Sequence, residues 1–511
     1  MSADQGYDPR TGQPVGEPVP HTDPAALDRT CRAAAAAAPG LAALPPAQRA
    51  GLLRAVAGAL DAHADELVGL ADTETALGPT RLAGELVRTR EQLAMFARVL
   101  EEGSYLDVII DLPDPDAVPA PRPDLRRMLL PLGPVAVYAA SNFPFAFSVA
   151  GGDTASALAA GCPVVVKAHP GHPGLSVRTG EVVAAALAGA GAPAGTFAVV
   201  HGFDAGRDLV AHPAIAAAGF TGSLTGGRAL LDVAAARPDP IPFYGELGAL
   251  NPVVVTAGAL AARADEIIAG FVGSYTLGSG QFCTKPGVVF LPAGHGLAQR
   301  LADAVRAAPL GPLLAERIRS GYAETAAGLS AVPGVRSLLP GGGADGPGWR
   351  AAPTLLAVPA EALAEHGDQL LVECFGPAAL LVEYASTGEL LAGLDALPGS
   401  LTGTLHADLD AAQDAEADLV REVVDRLTAR AGRVIVGGWP TGVAVSWAMH
   451  HGGPWPATTH PGHTSVGVTA IRRFQRPVVY QNTPAALLPP ALRDDNPWRV
   501  PRRVNGILEP A

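Results

Sequence analysis

Short apolar runs alternate with helix-like segments from residue 135 onward. The predicted strands are Val135–Tyr138, Val164–Val166, Phe197–Val200, Ala216–Phe220 and Pro242–Tyr244. The predicted helices between them lie near Phe147–Ala160, Ser176–Ala190 and Thr225–Ala235. Continuous apolar strands joined by helices are typical of a parallel sheet covered on both faces. The pattern therefore predicts an α/β domain of the nucleotide-binding type.

The same alternation resumes after this domain. A second α/β series begins at Pro252–Val255, continues through a helix at Ala259–Thr276 and extends to about residue 446. Within it, Gly341–Gly343 and its neighbours are interpreted as a flexible surface loop. Two successive α/β units are therefore expected.

Two stretches stand apart from these units. Tyr105–Ile110 alternates in polarity like a strand, and the proline-rich Asp111–Pro123 follows it, so we interpret the region as an arm or hairpin. From Gln481 the chain is again proline-rich and charged, which predicts a segment that needs a partner surface or remains disordered.

Composition narrows the class of protein. The chain has 511 residues, of which 48% are hydrophobic and 17% charged, as expected of a globular protein with more than one core. A net charge of -13 disfavours nucleic acid or an anionic membrane as the main partner. The start is polar, and no apolar run reaches the ~20 residues of a spanning helix. We expect a soluble cytoplasmic protein.

The four cysteines and the two lysines carry more specific information. The cysteines lie far apart without a CxxC spacing, which favours free thiols in a reducing compartment over a metal site. Lys167 and Lys285 are the only lysines among 36 Lys and Arg residues. Because a guanidinium cannot replace a compact ammonium at a tight site, both lysines are expected to serve chemistry.

The strongest motif is the stretch Gly278–Gly287, which places Cys283 in a glycine-flanked turn before a strand-like run. A free thiol is more often a buried structural residue. Here the flanking glycines remove the bulk that would bury the sulfur, and backbone amides can hold a thiolate toward a substrate. Cys283 is therefore predicted to be a catalytic nucleophile.

Two polar residues follow predicted strands of the first sheet. Asn142 comes after the first strand, where its amide could donate to an oxyanion, although a turn asparagine is the simpler reading. Lys167 ends the next strand, where it could reach a phosphate or ribose. His169 and His172 lie in a loop without the spacing of metal ligands, so no metal site is predicted.

Three further motifs each admit a structural alternative. Gly222 and Ser223 lie at a strand–turn–helix junction that suits a phosphate, or Ser223 is simply an N-cap. Glu246 lies between glycines in an apolar stretch, where a raised pKa would make it a general base; a salt-bridged turn glutamate is equally plausible. Glu373 and Phe375 suit a ribose and a flat heterocycle, or form a loop corner.

Taken together, these residues resemble the signature set of the aldehyde dehydrogenase superfamily along nearly the whole chain. The resemblance is greatest to the NADP-preferring branch that oxidises 2-oxoglutarate semialdehyde (2,5-dioxopentanoate). It is carried further by Arg122–Met128, Ala140–Pro144, Gly151–Lys167, Met449–Pro454, Thr464–Gly467 and Arg476-Pro477.

The resemblance implies a reaction and a division of roles. Cys283 would attack the aldehyde, Asn142 and the Cys283 backbone amide would hold the oxyanion, and Glu246 would activate water to release the acid from a thioester. The cofactor would be bound by Lys167, Ser141, Gly222, Ser223, Gly248, Glu373 and Phe375. No role beyond a positive field is assigned to Lys285.

Single residues indicate the cofactor and substrate preferences. Pro170 occupies the place where NAD-preferring relatives often carry a glutamate, so NADP is expected to be favoured and NAD tolerated, with His169 or Arg207 assisting Lys167. The candidates for binding a substrate carboxylate are Arg81, Arg88 and Arg90. The residues expected to line the substrate tunnel are Phe143, Trp439 and Trp447.

The resemblance also implies the architecture: two doubly wound parallel-sheet domains and a small β oligomerisation element, in a homodimer or homotetramer. The expected cofactor-binding domain is 1–105 with 132–248, the catalytic domain 249–446, the oligomerisation element 106–131 with 471–490, and the C-terminal tail 491–511. The alternative functions are a broad-range aldehyde dehydrogenase, a cysteine acyl hydrolase and a non-catalytic binding protein of the family.

Overall fold

A computed structural model of the chain describes residues 2–408 and 416–510. The strands are β1 Ala3–Asp8, β2 Gln13–Pro20, β3 Val108–Asp111, β4 Leu125–Pro131, β5 Val135–Tyr138, β6 Val164–Lys167, β7 Phe197–Val200, β8 Ala217–Thr221, β9 Phe243–Glu246, β10 Val253–Val255, β11 Val288–Pro292, β12 Arg336–Gly343, β13 Ala351–Pro359, β14 Ala378–Tyr384, β15 Ser400–His406, β16 Ala431–Val436, β17 Gln475–Gln481, β18 Arg502–Val504 and β19 Ile507–Glu509.

Helices cover both large sheets. They are α1 Pro24–Ala43, α2 Pro46–Ala62, α3 Ala64–Thr75, α4 Pro79–Glu102, α5 Gly152–Ala160, α6 Pro173–Gly189, α7 Phe203–Ala211, α8 Leu224–Ala235, α9 Ala257–Thr276, α10 Ala298–Ala307, α11 Glu316–Ser330, α12 Ala362–Leu370, α13 Thr387–Asp395 and α14 Ala417–Arg430. Within the described ranges, no helix is both long and apolar enough to cross a membrane.

The first sheet is parallel, with the strand order β7-β6-β5-β8-β9. The five predicted strands coincide with these elements to within a residue or two, because buried parallel strands leave unbroken apolar runs in the sequence. The strand order reverses at β5, which makes the sheet doubly wound. In such a sheet the ligand crevice lies at the carboxyl ends beside the reversal point.

One predicted helix is shorter in the structure. The chain from Phe147 to Gly151 turns before α5 begins at Gly152. Gly151 makes this turn possible, since a Cβ there would meet the Ala146 carbonyl. The apolar residues of the turn are buried, so the sequence reads as helix although the backbone is not helical.

The second sheet has the order β12-β13-β14-β11-β10-β15-β16 and is parallel except for the β12–β13 pair. The expected flexible loop at Gly341–Gly343 was wrong. These glycines end β12 and pair with Ala351 and Ala352 of β13. Antiparallel pairing depends on backbone groups, so glycines without side chains can still form the edge of the sheet.

A third, small sheet has the order β17-β4-β3-β18-β19. The predicted hairpin supplies β3 and β4, which pair antiparallel. The expectation that the tail needs a partner or stays disordered was wrong, since β18 pairs parallel with β3 and is followed by β19. Leu488, Leu492 and Val500 are buried against the helices of the first domain, which fixes the tail to its own chain.

Candidate active site

One cleft collects most of the predicted site residues. It has a volume of about 480 Å³ and lies where β5, β8 and β9 end, opposite the turn that precedes β11. The predicted residues that line it are Ser141, Asn142, Phe143, Gly222, Ser223, Glu246, Gly248, Cys283, Glu373 and Phe375. Residues from both α/β units therefore meet at one surface.

The turn that carries Cys283 is held in an uncommon backbone conformation. Ser279 and Gly280 have φ values of 55° and 72°, and a Cβ at Gly280 would overlap the Gly376 carbonyl. Asn251 Nδ2 donates to the carbonyl oxygens of Cys283 and Lys285, at 2.7 and 3.0 Å. The glycine is therefore required for the close approach of two loops, and the thiol has a fixed position.

The Cys283 thiol faces a histidine that was not among the predicted site residues. His451 Nε2 lies 3.5 Å from Cys283 Sγ. Burial, together with Glu373 and Glu246, raises the pKa of the Cys283 thiol to about 12. Burial and the positive charges of Arg433 and Arg88 lower the pKa of His451 to about 3. A neutral imidazole therefore stands beside a neutral thiol when the cleft is empty.

The Asn142 amide is held beside the same turn. Its Nδ2 donates to the Gln281 carbonyl at 3.0 Å, two residues before Cys283. The Asn142 backbone carbonyl in turn accepts from Arg81 Nη2 at 2.7 Å. Both the backbone and the side chain of Asn142 are therefore anchored, and the second N–H of its side-chain amide can still donate to an oxygen bound at the thiol.

Glu246 ends β9 as a buried carboxyl group. Its side chain is 7% exposed, and its Oε2 has no hydrogen-bond partner among the described residues. Burial raises the pKa of Glu246 well above its usual value, and the nearby Arg473 opposes this while Asp153 adds to it. Arg473 and Asp153 form their own ion pair at 2.7 Å. Among the described residues, Glu246 forms no ion pair, so it is not the salt-bridged turn glutamate that the sequence also allowed.

Glu373 and Gly248 meet at the other side of the cleft. A Cβ on Gly248 would overlap Glu373 Oε2, so this glycine leaves the space that the carboxylate occupies. Burial raises the pKa of Glu373 to about 7, and Lys285 opposes the rise. Lys285 Nζ donates to the Ala378 carbonyl and is buried. The charge of Lys285 therefore acts on Glu373, and its hydrogen bond to Ala378 anchors the chain that follows Glu373.

The structure groups three basic side chains at one end of the cleft. Arg317 Nη2 lies 3.0 Å from His169 Nε2, and both residues line the cleft. Lys167, at the end of β6, interacts electrostatically with both. Asp4 is the carboxylate that acts on Lys167. Arg207, expected in this role, is instead exposed and bonded to Asp208 at 3.0 Å.

The Ser223 hydroxyl acts as a helix cap. It accepts from the Gly226 backbone amide at 3.2 Å at the start of α8. The Ser223 hydroxyl is therefore an N-cap, the structural alternative that the sequence also allowed. The exposed first turn of α8 nevertheless lines the cleft with Gly222 and Thr225, and a helix N-terminus binds anions.

The structure brings one of the three predicted tunnel residues into the cleft. Phe143 lines it and packs edge-on against Phe282, with ring centroids 5.0 Å apart. Trp439 instead packs against Phe271 of α9 and against His406, outside the described lining. Trp447 is 51% exposed and also lies outside the lining. Trp439 is directed away from the cleft because it packs on α9.

Known proteins give a consistent comparison. Residues 3–453 match the model of the aldehyde dehydrogenase family. The chain is 46% identical to alpha-ketoglutaric semialdehyde dehydrogenase 2 of Azospirillum brasilense, over 99% of this chain and 96% of that protein. It is 42% identical to alpha-ketoglutaric semialdehyde dehydrogenase of Acinetobacter baylyi, over 90% and 87% of the two chains.

Solved structures agree on the fold. Lactaldehyde dehydrogenase from Escherichia coli superposes with a TM-score of 0.80 at 21% identity, covering 94% of this chain and 95% of that one. The moss aldehyde dehydrogenase 21 from Physcomitrella patens, solved with its reaction product succinate, gives a TM-score of 0.77 at 20% identity, covering 95% and 96%. With a matching family model over most of its length and close relatives along nearly all of it, the chain belongs to the aldehyde dehydrogenase family.

Proposed function

We propose that this protein oxidises 2-oxoglutarate semialdehyde (2,5-dioxopentanoate) to 2-oxoglutarate, with NADP as the preferred acceptor. The observation that carries the proposal is the meeting of the Cys283 thiol, the Asn142 amide and the Glu246 carboxyl in one cleft. The substrate is inferred from the two relatives that carry its name and match this chain over 90% or more of its length.

The reaction begins at Cys283. Its sulfur adds to the aldehyde carbon, and His451 Nε2, 3.5 Å away, is placed to accept the thiol proton. The oxyanion that forms accepts from the free N–H of Asn142 and from the Cys283 backbone amide. The charge of Arg88 opposes the rise in the pKa of Cys283 and so favours the thiolate.

A bound nicotinamide cofactor would supply the hydride acceptor for the carbon attached to Cys283. The resulting thioester on Cys283 must then be hydrolysed. Glu246 has an unpartnered oxygen in the cleft and a raised pKa, so it suits the activation of water near neutral pH. Arg473 lowers the pKa of Glu246 and keeps the base form accessible.

The residues present fit such a cofactor. The first turn of α8 offers backbone amides to the pyrophosphate, with Gly222 and Ser223 forming the turn. Glu373 is positioned to accept from the nicotinamide ribose hydroxyls, and Gly248 leaves room for its carboxylate. Phe375 and Ser141, both in the lining, would contact the cofactor.

The preference for NADP is supported by the basic group of Lys167, His169 and Arg317. The Lys167 ammonium makes no hydrogen bond among the described residues and so retains its donors for a ligand. Asp4 is the one carboxylate acting on Lys167, and it also bonds to His21 at 3.0 Å. A 2′-phosphate would therefore meet a net positive charge.

Replacing Arg317 tests this preference. In Arg317→Gln we expect the ratio of kcat/KM with NADP to kcat/KM with NAD to fall about tenfold, the effect of losing one charged hydrogen bond to phosphate. Initial rates from absorbance at 340 nm with both cofactors give the ratio. Arg319→Gln is the matched control, because Arg319 lies on the same helix and pairs with Glu316 at 2.8 Å. A wild-type ratio below one would contradict the NADP assignment.

A substrate panel tests the function itself. We expect kcat/KM with 2,5-dioxopentanoate to exceed that with succinate semialdehyde, hexanal and benzaldehyde, because the relatives carrying its name align with this chain almost end to end. The reduced cofactor is followed in each case. Higher values for hexanal or benzaldehyde would instead support the broad-range alternative.

We further infer the assembly, domain limits and compartment. The small sheet supports a homodimer or homotetramer, since both edges are exposed and carry apolar side chains, among them Val479, Ile507 and Leu508. The oligomerisation element is assigned to 106–131 with 471–490, and strands β18 and β19 are added to it. The first sheet is assigned to the cofactor-binding domain and the second sheet to the catalytic domain. Free thiols at all four cysteines support a reducing cytoplasm.

A further inference from the structure

A guanidinium group without a partner stands beside the reacting thiol. Arg88, on α4, has its Nε and Nη2 atoms buried, and neither has a hydrogen-bond partner among the described residues. Its guanidinium lies 5.6 Å from the ring centre of Phe143 and 5.4 Å from that of Phe147. Both rings line the cleft, and the charge of Arg88 acts on Cys283. A buried donor left unpaired is costly, so a ligand that pairs with it is expected.

The other two candidate arginines on α4, Arg81 and Arg90, already have other partners. Arg81 lies two helical turns before Arg88 and on the same face, but its Nη2 donates to the Asn142 carbonyl at 2.7 Å. Arg90 points to another face and pairs with Asp61 at 2.5 Å. The structure therefore selects Arg88 among the three candidates.

Glu85 acts electrostatically on Arg88 without forming a hydrogen bond to it among the described residues. Glu85, one turn earlier on α4, accepts from the backbone amides of Phe145 and Ala146 at 2.8 and 2.9 Å through its Oε1. It forms no ion pair with Arg88 or Arg81 among the described residues. On this face of α4, one carboxyl group therefore acts on two guanidinium groups.

A second guanidinium reaches the same place from the other sheet. Arg433, on β16, donates from Nη2 to the carbonyl oxygens of Pro440 and Gly442, at 2.8 and 2.9 Å. Its Nε is buried and unpartnered in the described part of the chain, and its charge also acts on Cys283. Two arginines whose charges act on the thiol therefore each retain a buried donor.

We propose that Arg88, assisted by Arg433, binds the carboxylate of an anionic aldehyde substrate and so selects a 2-oxo acid over a neutral aldehyde. The proposal rests on the proposed function and specifies how that site recognises its substrate. A guanidinium fork matches a carboxylate with two parallel hydrogen bonds. Phe143 and Phe147 shield the pair from water, which strengthens it.

The test replaces the charge and retains most of the side-chain length. In Arg88→Met we expect the ratio of kcat/KM for 2,5-dioxopentanoate to kcat/KM for pentanal to fall about 100-fold. Pentanal has the same number of carbons but no carboxylate. Arg90→Met, a matched change on the outer side of α4, is expected to leave the ratio as in the wild type. Thermal melting verifies that each variant is folded.

A binding measurement separates recognition from reactivity. The inhibition constant of the product 2-oxoglutarate is expected to rise in Arg88→Met by a factor similar to the fall in the ratio. Arg88→Lys should retain part of the preference, because the charge remains while the fork is lost. An unchanged ratio in a folded Arg88→Met protein would overturn the proposal. If that variant does not fold, Arg88→Lys and Arg433→Met give the same readouts.

Succinate semialdehyde distinguishes failure of this proposal from failure of the proposed function. A wild-type enzyme that prefers succinate semialdehyde would contradict the assigned substrate. If Arg88→Met then lowers the ratio for succinate semialdehyde to pentanal, the carboxylate site stands. A wild-type enzyme that oxidises pentanal as well as both anionic aldehydes would overturn the carboxylate site.

Discussion

Replacing Cys283 by alanine is expected to lower aldehyde oxidation on the order of 10⁵-fold or more, the scale found when a catalytic nucleophile is removed. No other cysteine lines the cleft in the described structure, so no thiol can substitute for it. The neutral His451 would then face a methyl group and have no thiol proton to accept. The measurement is the growth of reduced cofactor with 2,5-dioxopentanoate at saturating NADP.

Cys31→Ala is the matched control. Cys31 is a free cysteine buried in α1, packed in a separate apolar cluster away from the cleft. Its loss removes a thiol and leaves the cleft intact, so turnover is expected to stay within a factor of two of the wild type. Aldehyde-dependent reduction that survives in Cys283→Ala would remove the thiol from the mechanism. Ester hydrolysis by the wild type without any nicotinamide requirement for turnover would favour the acyl hydrolase alternative.

The second large effect concerns Glu246. In Glu246→Gln we expect a burst of reduced cofactor of about one equivalent per active site, followed by a steady rate lowered 10²- to 10⁴-fold, the range for a lost general base. Attack and hydride transfer do not need the carboxylate, whereas hydrolysis of the thioester does. The isosteric amide keeps the packing of this buried position. Stopped-flow absorbance at 340 nm separates the two phases, and loss of the burst itself would contradict this division of roles.

The pH dependence provides an independent check on the same residue. Burial raises the pKa of Glu246, so the carboxyl group stays protonated to a higher pH than usual and gains its base form only as the pH rises. Steady-state turnover of the wild type is therefore expected to increase with pH through that pKa. The slow turnover of Glu246→Gln should lack this increase, since no carboxyl group titrates at position 246. A wild-type rate that falls over the same pH range would contradict the assignment.

The first sheet and much of the site could be predicted from sequence, for a physical reason. Short apolar runs identify β5 to β9, and parallel strands place their end residues in one crevice. That rule brings Asn142 to the crevice, whereas the roles of Asn142 and Glu246 came from the resemblance to the family. Cys283 is indicated by its glycines, because local backbone freedom leaves a local sequence signal.

Contacts between residues far apart in the sequence leave no local pattern from which they could be predicted. His451 meets Cys283 across 168 residues, and Arg317 meets His169 across 148. His451 stands in a run used only to identify the family, and its neighbours give no sign that it faces a thiol. Trp439 was misplaced for the same reason, since it packs against a helix far away in sequence. Only a fold reveals which distant side chains share a cleft.

The pairing of β18 with β3 has a consequence for biosynthesis. The Leu112 amide donates to Asn505 Oδ1 at 2.9 Å, a contact between residues 393 positions apart. A ribosome must release nearly the entire chain before β3 acquires this neighbour, and contacts so distant in sequence form slowly. Newly made chains therefore expose the edge of β3 until β18 has been synthesised. A fusion attached after β19 would extend from the edge of this sheet, whereas a fusion at the start of the chain would leave the last pairing step undisturbed.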